Sequence, residues 1–233
     1  AVTNVIVLIR HAMQASIGNS VASEDVSKNY KDVFLWQFLF SVIAIWCSVC
    51  LLCLFQPFMK IWMGEDMMLP MVDVVILSAL FLVSTVQHAF YLYLSGTGMW
   101  WELRWTYIWS TVCNLILNVV LCKLWGTTGI ILATFVATFA FGFVWQCRII
   151  FKNYFKKSTK EYHLKHVVYF SIGIIIATIT YCLCSLVCSD GLLGLFERGV
   201  ICVIIPSSLM LVCFRKMEMF ERSKLLITNV LKK

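Results

Sequence analysis

Long uncharged apolar runs alternate with short charged or polar stretches along the chain, and that alternation predicts its elements. Residues 33–59 contain no charge, a run of 27 positions. A helix needs ~20 apolar residues to cross the hydrocarbon core of a bilayer, so this run predicts the first complete span. Pro57 is expected to end or bend it, Phe58, Trp62 and Met63 to lie in an interfacial turn, and Gly64 to close that turn. Further spans are predicted at about residues 74–94, 105–122, 129–147, 167–188 and 199–214. Residues 1–17 read as the last turns of a helix that begins before Ala1, and 23–32 as a charged surface connector. The chain is therefore expected to be the C-terminal portion of something longer.

The pattern predicts an all-α fold: a polytopic membrane helix bundle with about six full transmembrane helices plus the end of a seventh. It divides into a four-span block through residue 147, a basic connector at 148–166, a two-span block at 167–214, and a tail at 215–233. The tail is basic and mildly amphipathic, with Met219, Phe220, Leu225 and Leu226 as its apolar residues. Gly129, Ala133 and Ala137 recur at four-residue spacing, as do Gly173 and Ala177. Such faces let helix backbones approach closely in lipid. Pro206 is expected to kink the last span, with Ser207 and Ser208 beside it to satisfy freed carbonyls.

Charge orients these spans. The 148–166 connector carries six Lys and Arg, and basic connectors between apolar spans mark the cytoplasmic face. With that connector inside, sixteen of the nineteen basic residues fall on the cytoplasmic side, Arg10, Lys28, Lys31 and Arg104 among them. Only Lys60, Lys123 and Arg198 fall opposite. The C-terminus is expected in the cytoplasm, and the protein in the cell (plasma or inner) membrane. The formal net charge of +7 sits in short loops beside spans, which fits attraction to anionic membrane lipids rather than to nucleic acid. At 61% hydrophobic and 13% charged, the composition excludes an ordinary soluble domain.

The eleven cysteines lie within or at the rim of the apolar runs. Cys47, Cys50 and Cys53 share the spacing of an iron–sulfur run, but position 57, where the fourth thiolate belongs, is Pro57. The cysteines therefore read as small buried hydrophobes, and neither metal nor cofactor is expected. No Ser–His–acid set, HExxH or phosphate-cradling glycine loop is present, so the chain does not read as an enzyme.

Ionisable groups at membrane depth are functional candidates. His88 lies in the second span beside Gln87, where it serves either a polar lumen contact or a packing hydrogen bond. Arg104, with Glu102 and the Trp100, Trp101 and Trp105 belt, lies where the second and third spans meet the cytoplasmic face. It reads either as an interfacial ion pair or as a forked contact for phosphate. Arg10 and His11 read as a snorkelling pair or as the basic lining of a cavity mouth. Asn114 and Asn118 share one face of the third span, facing either a neighbouring helix or substrate hydroxyls.

Several of these stretches together resemble a known family. They are Ala15-Ser16-Ile17-Gly18-Asn19-Ser20 with Glu24, Gln56-Pro57-Phe58-Met59-Lys60-Ile61-Trp62-Met63-Gly64, and Gly98-Met99-Trp100-Trp101-Glu102-Leu103-Arg104-Trp105. Asn114-Leu115-Ile116-Leu117-Asn118 and Trp125-Gly126-Thr127-Thr128-Gly129-Ile130 complete the set. In this order they resemble the polysaccharide-export branch of the multidrug/oligosaccharidyl-lipid/polysaccharide exporters, which includes flippases for O-antigen and capsule units. The resemblance implies two lobes that rock around a central cavity, with this chain supplying most of the second and an N-terminal lobe as its partner. It also implies a polyprenyl-diphosphate-linked oligosaccharide as cargo for surface polysaccharide synthesis. Two alternatives stand beside it: a membrane-embedded transferase or polymerase acting on the same lipid carrier, and a drug or cation antiporter of the same superfamily. Both would be expected to carry acids at membrane depth, and the predicted span interiors contain no Asp or Glu.

Overall fold

The computed structural model describes residues 2–231, and among them the chain is 89% helix with no strand, as the periodicity predicts. The helices are α1 (Val2–Ser23), α2 (Val26–Met63), α3 (Met71–Val86), α4 (His88–Thr97), α5 (Arg104–Ala137), α6 (Cys147–Ile150), α7 (Lys160–Ser185), α8 (Gly191–Phe214) and α9 (Glu218–Leu231). Wider π-wound segments at Thr138–Gln146 and Phe151–Phe155 flank α6 and join it to α5. Five helical stretches among the described residues are long and apolar enough to cross a membrane: Val26–Met63, Met71–Thr97, Arg104–Phe155, Lys160–Ser185 and Gly191–Phe214. The chain is a multi-pass membrane protein.

The 52-residue stretch Arg104–Phe155 is not one straight rod. Trp125 (φ −133°, ψ 15°) and Gly126 (φ 56°, ψ −131°) leave helical geometry, and the positive φ at 126 is one that glycine adopts without strain. Beyond them the chain comes back against itself. A Cβ at Gly129 would lie 2.1 Å from the Leu121 carbonyl oxygen, so only glycine fits there.

Helix α2 is the centre of the bundle, in contact with α3, α4, α7, α8 and α9. Its middle is small and apolar where neighbours press closest: Ala44 is fully buried, and Gly173 of α7 lies against Ile45. Phe38 meets Tyr169, Phe214 and Phe220 edge-on, tying α7, α8 and α9 to one side chain. At the basic end, Tyr30 and Phe34 join Phe151, Phe155 and Tyr162 in an aromatic knot. Two buried amides lock the same corner. Asn29 donates to Ser20 O (3.2 Å) and Tyr154 Oη (3.0 Å), and Gln37 donates to Tyr162 O (2.7 Å).

The connectors are shorter than the charge pattern predicts. The 148–166 stretch is helical except for 156–159, where Lys156 turns through φ 52°. The 23–32 connector narrows to the residues between α1 and α2, and α4 runs to Thr97. Charged residues do not stop a helix. They carry it into the headgroup layer, and their side chains then bond across the bundle: Lys165 Nζ sits 3.8 Å over the Phe34 ring and 2.9 Å from Glu161. Pro57 does not end α2, which continues to Met63 and stops at Gly64 (φ 87°). Asp73, just before the span predicted from about residue 74, lies in the first turn of α3, 1% exposed, with neither carboxylate oxygen bonded among the described residues. The tail forms α9, held to α2 by Arg222 Nη2–Asp32 Oδ1 at 3.0 Å. Two of its basic residues, Lys232 and Lys233, lie outside the described residues.

Gly173→Val should lower the unfolding stability of the detergent-solubilised protein by about 1–3 kcal/mol, because even its Cβ would stand 3.1 Å from Ile45 Cγ1. Gly199→Val, at a position with nothing within 4 Å of a Cβ, should leave the melting temperature near wild type.

Candidate functional site

Two helical stretches meet at one level. Between α3 and α4 the chain runs on through Gln87, which is buried and keeps right-handed helical dihedrals (φ −64°, ψ −24°). Opposite it runs the π-wound Thr138–Gln146, whose Gly142 leaves room for the Gln87 amide: a Cβ there would lie 2.9 Å from Gln87 Oε1. Gln87 Nε2 donates to the Thr138 carbonyl at 3.4 Å. Widened π turns recur at functional sites.

A chain of polar side chains follows. Tyr91 Oη donates to Gln146 Oε1 at 2.7 Å, with Gln87 Oε1 3.4 Å away, and Tyr107 of α5 faces it. His88 is half-buried between Phe40 and Tyr91, with ring centroids at 5.7 and 6.3 Å. From α1, Arg10 Nη2 bonds His11 Nε2 at 2.8 Å. Because a guanidinium only donates, His11 accepts at Nε2 in this pairing. Arg10 and His11 lie close enough to act electrostatically on His88, and Arg10 also on Tyr91. Arg10 Nε and His88 Nδ1 are buried without a partner among the described residues. The group offers one fixed cation, two imidazoles, two amides and two phenols, a set suited to an anion with hydroxyls attached. None of these side chains is a carboxylate that could act as an acid or base.

Of the sequence candidates, Arg10, His11, His88 and Gln87 thus come together. Thirteen residues, ~20 Å of helix, separate Arg10 from the end of α1 at Ser23. Arg104 is elsewhere. Its Nη1 donates to the Trp101 carbonyl at 2.7 Å and its guanidinium stacks on the Trp101 ring at 4.2 Å, rather than pairing with Glu102. Asn114 accepts from Asn118 Nδ2 at 3.0 Å within α5. Tyr91 and Gln146 escaped the sequence reading, since each follows an aromatic residue in an apolar run and looks like packing. His166 was counted with the connector. It is buried in α7 between Phe143 (5.0 Å), Tyr162 (4.8 Å) and Phe170 (5.3 Å), with neither ring nitrogen bonded among the described residues.

The corner where α1 meets α2 gives the Ser20 and Glu24 of the quoted motifs a structural role. Ser20 Oγ bridges Glu24 Oε2 and Asn29 Oδ1 (2.5 and 2.7 Å), and Lys28 pairs with the Glu24 carboxylate. Lys28 and Ser20 together hold the Glu24 carboxyl below its ordinary pKa. No family model, curated protein or solved structure matches this chain.

A double-mutant cycle on Tyr91→Phe and Gln146→Leu checks the polar chain. Each single change should cost about 1 kcal/mol or more by stranding the other partner, and the double should cost less than their sum. Additive losses would mean that the two groups do not bond in the folded protein.

Proposed function

We propose that the chain forms part of the second lobe of a flippase that carries polyprenyl-diphosphate-linked oligosaccharide across the cell membrane for surface polysaccharide synthesis. The observation that carries this reading is the gathering of Arg10, His11 and His88 beside Tyr91 and Gln146, ~20 Å of helix from the end of α1, with Arg10 and His88 half-buried and His11 exposed. An uncompensated cation at that depth is costly unless an anion visits it. A diphosphate supplies the anion, and the attached sugar supplies hydroxyls for the amides and phenols. The motif resemblance supports the same class, and the second lobe would work against an N-terminal lobe that faces α1. Arg104, already engaged by Trp101, serves as an anchor at the membrane surface that a phosphate meets on approach.

In this reading the break at Trp125 and Gly126 is a hairpin between two spans. The count becomes six, with the 156–159 turn and α9 in the cytoplasm and the Glu65–Met67 turn outside. The antiporter alternative has one observation of its own, the buried Asp73. Asp73→Asn should leave export intact if the flippase reading is right and abolish transport if Asp73 carries the coupling ion.

Reporter fusions at Lys157 and after α9 should read cytoplasm, and fusions at Asp66, Trp125 and Asp190 the outside. Outside signals at Lys157 and after α9 would return the count to five, because Arg104–Phe155 would then cross only once. For cargo, Arg10→Ala should cut surface polysaccharide about ten- to hundredfold at unchanged protein level, the size of one lost charged hydrogen bond. Arg10→Lys should rescue part of it, and Arg104→Ala should cost less than Arg10→Ala. Normal export by Arg10→Ala would refute the assignment.

A further inference from the structure

At the end of the bundle away from the aromatic knot, three helices bring one thiol each to a single point. Cys53 of α2, Cys184 of α7 and Cys202 of α8 are all buried, and their Sγ atoms lie within 4.8 Å of one another. Cys184 Sγ and Cys202 Sγ are 3.8 Å apart. Three sulfurs held at ~2.3 Å from one metal ion in a plane stand ~4 Å from each other. The thiols are therefore near ligand spacing without further rearrangement of the helices.

The backbone is opened at the same place. Pro57 and Pro206 each follow one of these cysteines by four residues, and each lacks the N–H that would pair with the carbonyl of Cys53 or Cys202. Cys50 Sγ turns to the Cys202 carbonyl at 3.8 Å. Two proline-containing helices thus meet at their cysteines, which neither the spacing along α2 nor the composition could reveal. A way in also exists. A cavity of ≈ 300 Å³ is lined by Cys53 and Cys184 together with Gln56, Lys60, Asp190 and Arg198. The Arg198 guanidinium is fixed there by donation to Cys184 O (3.3 Å) and Val187 O (2.9 Å).

We propose that Cys53, Cys184 and Cys202 bind one copper(I) ion through three sulfurs. All three donors are soft, which favours copper(I) and zinc over hard cations. Zinc in closed protein sites takes four ligands, whereas the group here has three and no imidazole or carboxylate among them. Binding changes no oxidation state. Each thiol that ligates the ion gives up its proton through the polar cavity, and the fixed charge of Arg198 offsets the negative charge that three thiolates leave around a single monovalent ion. The site stands apart from the Arg10 group and does not depend on the transport reading.

The test is anaerobic titration of the purified, reduced full chain with copper(I) against a coloured copper(I) chelator. One ion per chain should be retained, with a shell of three sulfurs in X-ray absorption. Cys184→Ser and Cys202→Ser should each weaken retention at least tenfold, while combined Cys122→Ser, Cys182→Ser and Cys213→Ser, at exposed positions, should not. Should a serine variant fail to fold, thiol mapping on the wild type decides: copper(I) should protect these three cysteines from alkylation and leave the exposed ones reactive. No retained copper, retention that survives Cys184→Ser, nitrogen or oxygen in the shell, or a Cys184–Cys202 disulfide in the native protein would each overturn the proposal.

Discussion

Hydrocarbon offers the backbone no hydrogen bonds, so every amide and carbonyl at membrane depth must find its partner inside the protein. The rest of the structure depends on that constraint. It makes α2 a continuous helix of 38 residues, and it makes the neighbours of α2 bury side chains rather than backbone against it. Without a hydrophobic effect between helices in lipid, close packing holds the bundle. Gly173 on Ile45, and Gly96 of α4 against Val21 and Gly18 of α1, are places where two helices come near enough for that packing to act. The aromatic knot around Tyr30, Phe34 and Tyr162 plays the same part at the basic end, where rings rather than small residues fill the space.

Some features that depart from regular helix lie where polar side chains or thiols gather. Gln87 and the π turns of Thr138–Gln146 face each other, and the polar chain through Tyr91 to Gln146 runs between them. Pro57 and Pro206 open α2 and α8 where Cys53 and Cys202 meet. In lipid each such departure frees polar groups at a cost, and here those groups are answered by neighbours: Gln87 takes the Thr138 carbonyl and Cys50 the Cys202 carbonyl.

Much of the scaffold was legible in the chain because charge-free runs of sufficient length admit few other structures. The ends of the helices were not. Lys160, Glu161 and Lys165 look like loop by charge yet occupy the first turns of α7, because long side chains reach the surface while their backbone stays helical. Asp73 misled in the opposite direction, since a carboxylate at a helix start in an acidic stretch gives no sign that neighbouring helices cover it. At the candidate site, Arg10, His11 and His88 declared themselves as ionisable groups in apolar runs. Tyr91 and Gln146 did not, because their pairing joins positions 55 residues apart. The thiol group was hidden for the same reason: α2 displays a cysteine spacing of its own, while the ligand set draws one residue from each of three helices.

The central claim is that the cation on α1 makes this bundle a binding place for a lipid diphosphate. Equilibrium binding of a short-chain polyprenyl diphosphate to the purified protein in detergent tests it most directly, comparing wild type with Arg10→Ala and with Arg104→Ala. The account predicts saturable binding that weakens about ten- to hundredfold on loss of the Arg10 guanidinium, the size of one charged hydrogen bond, and changes little on loss of Arg104. Equal affinities for wild type and Arg10→Ala, or a loss confined to Arg104→Ala, would contradict it.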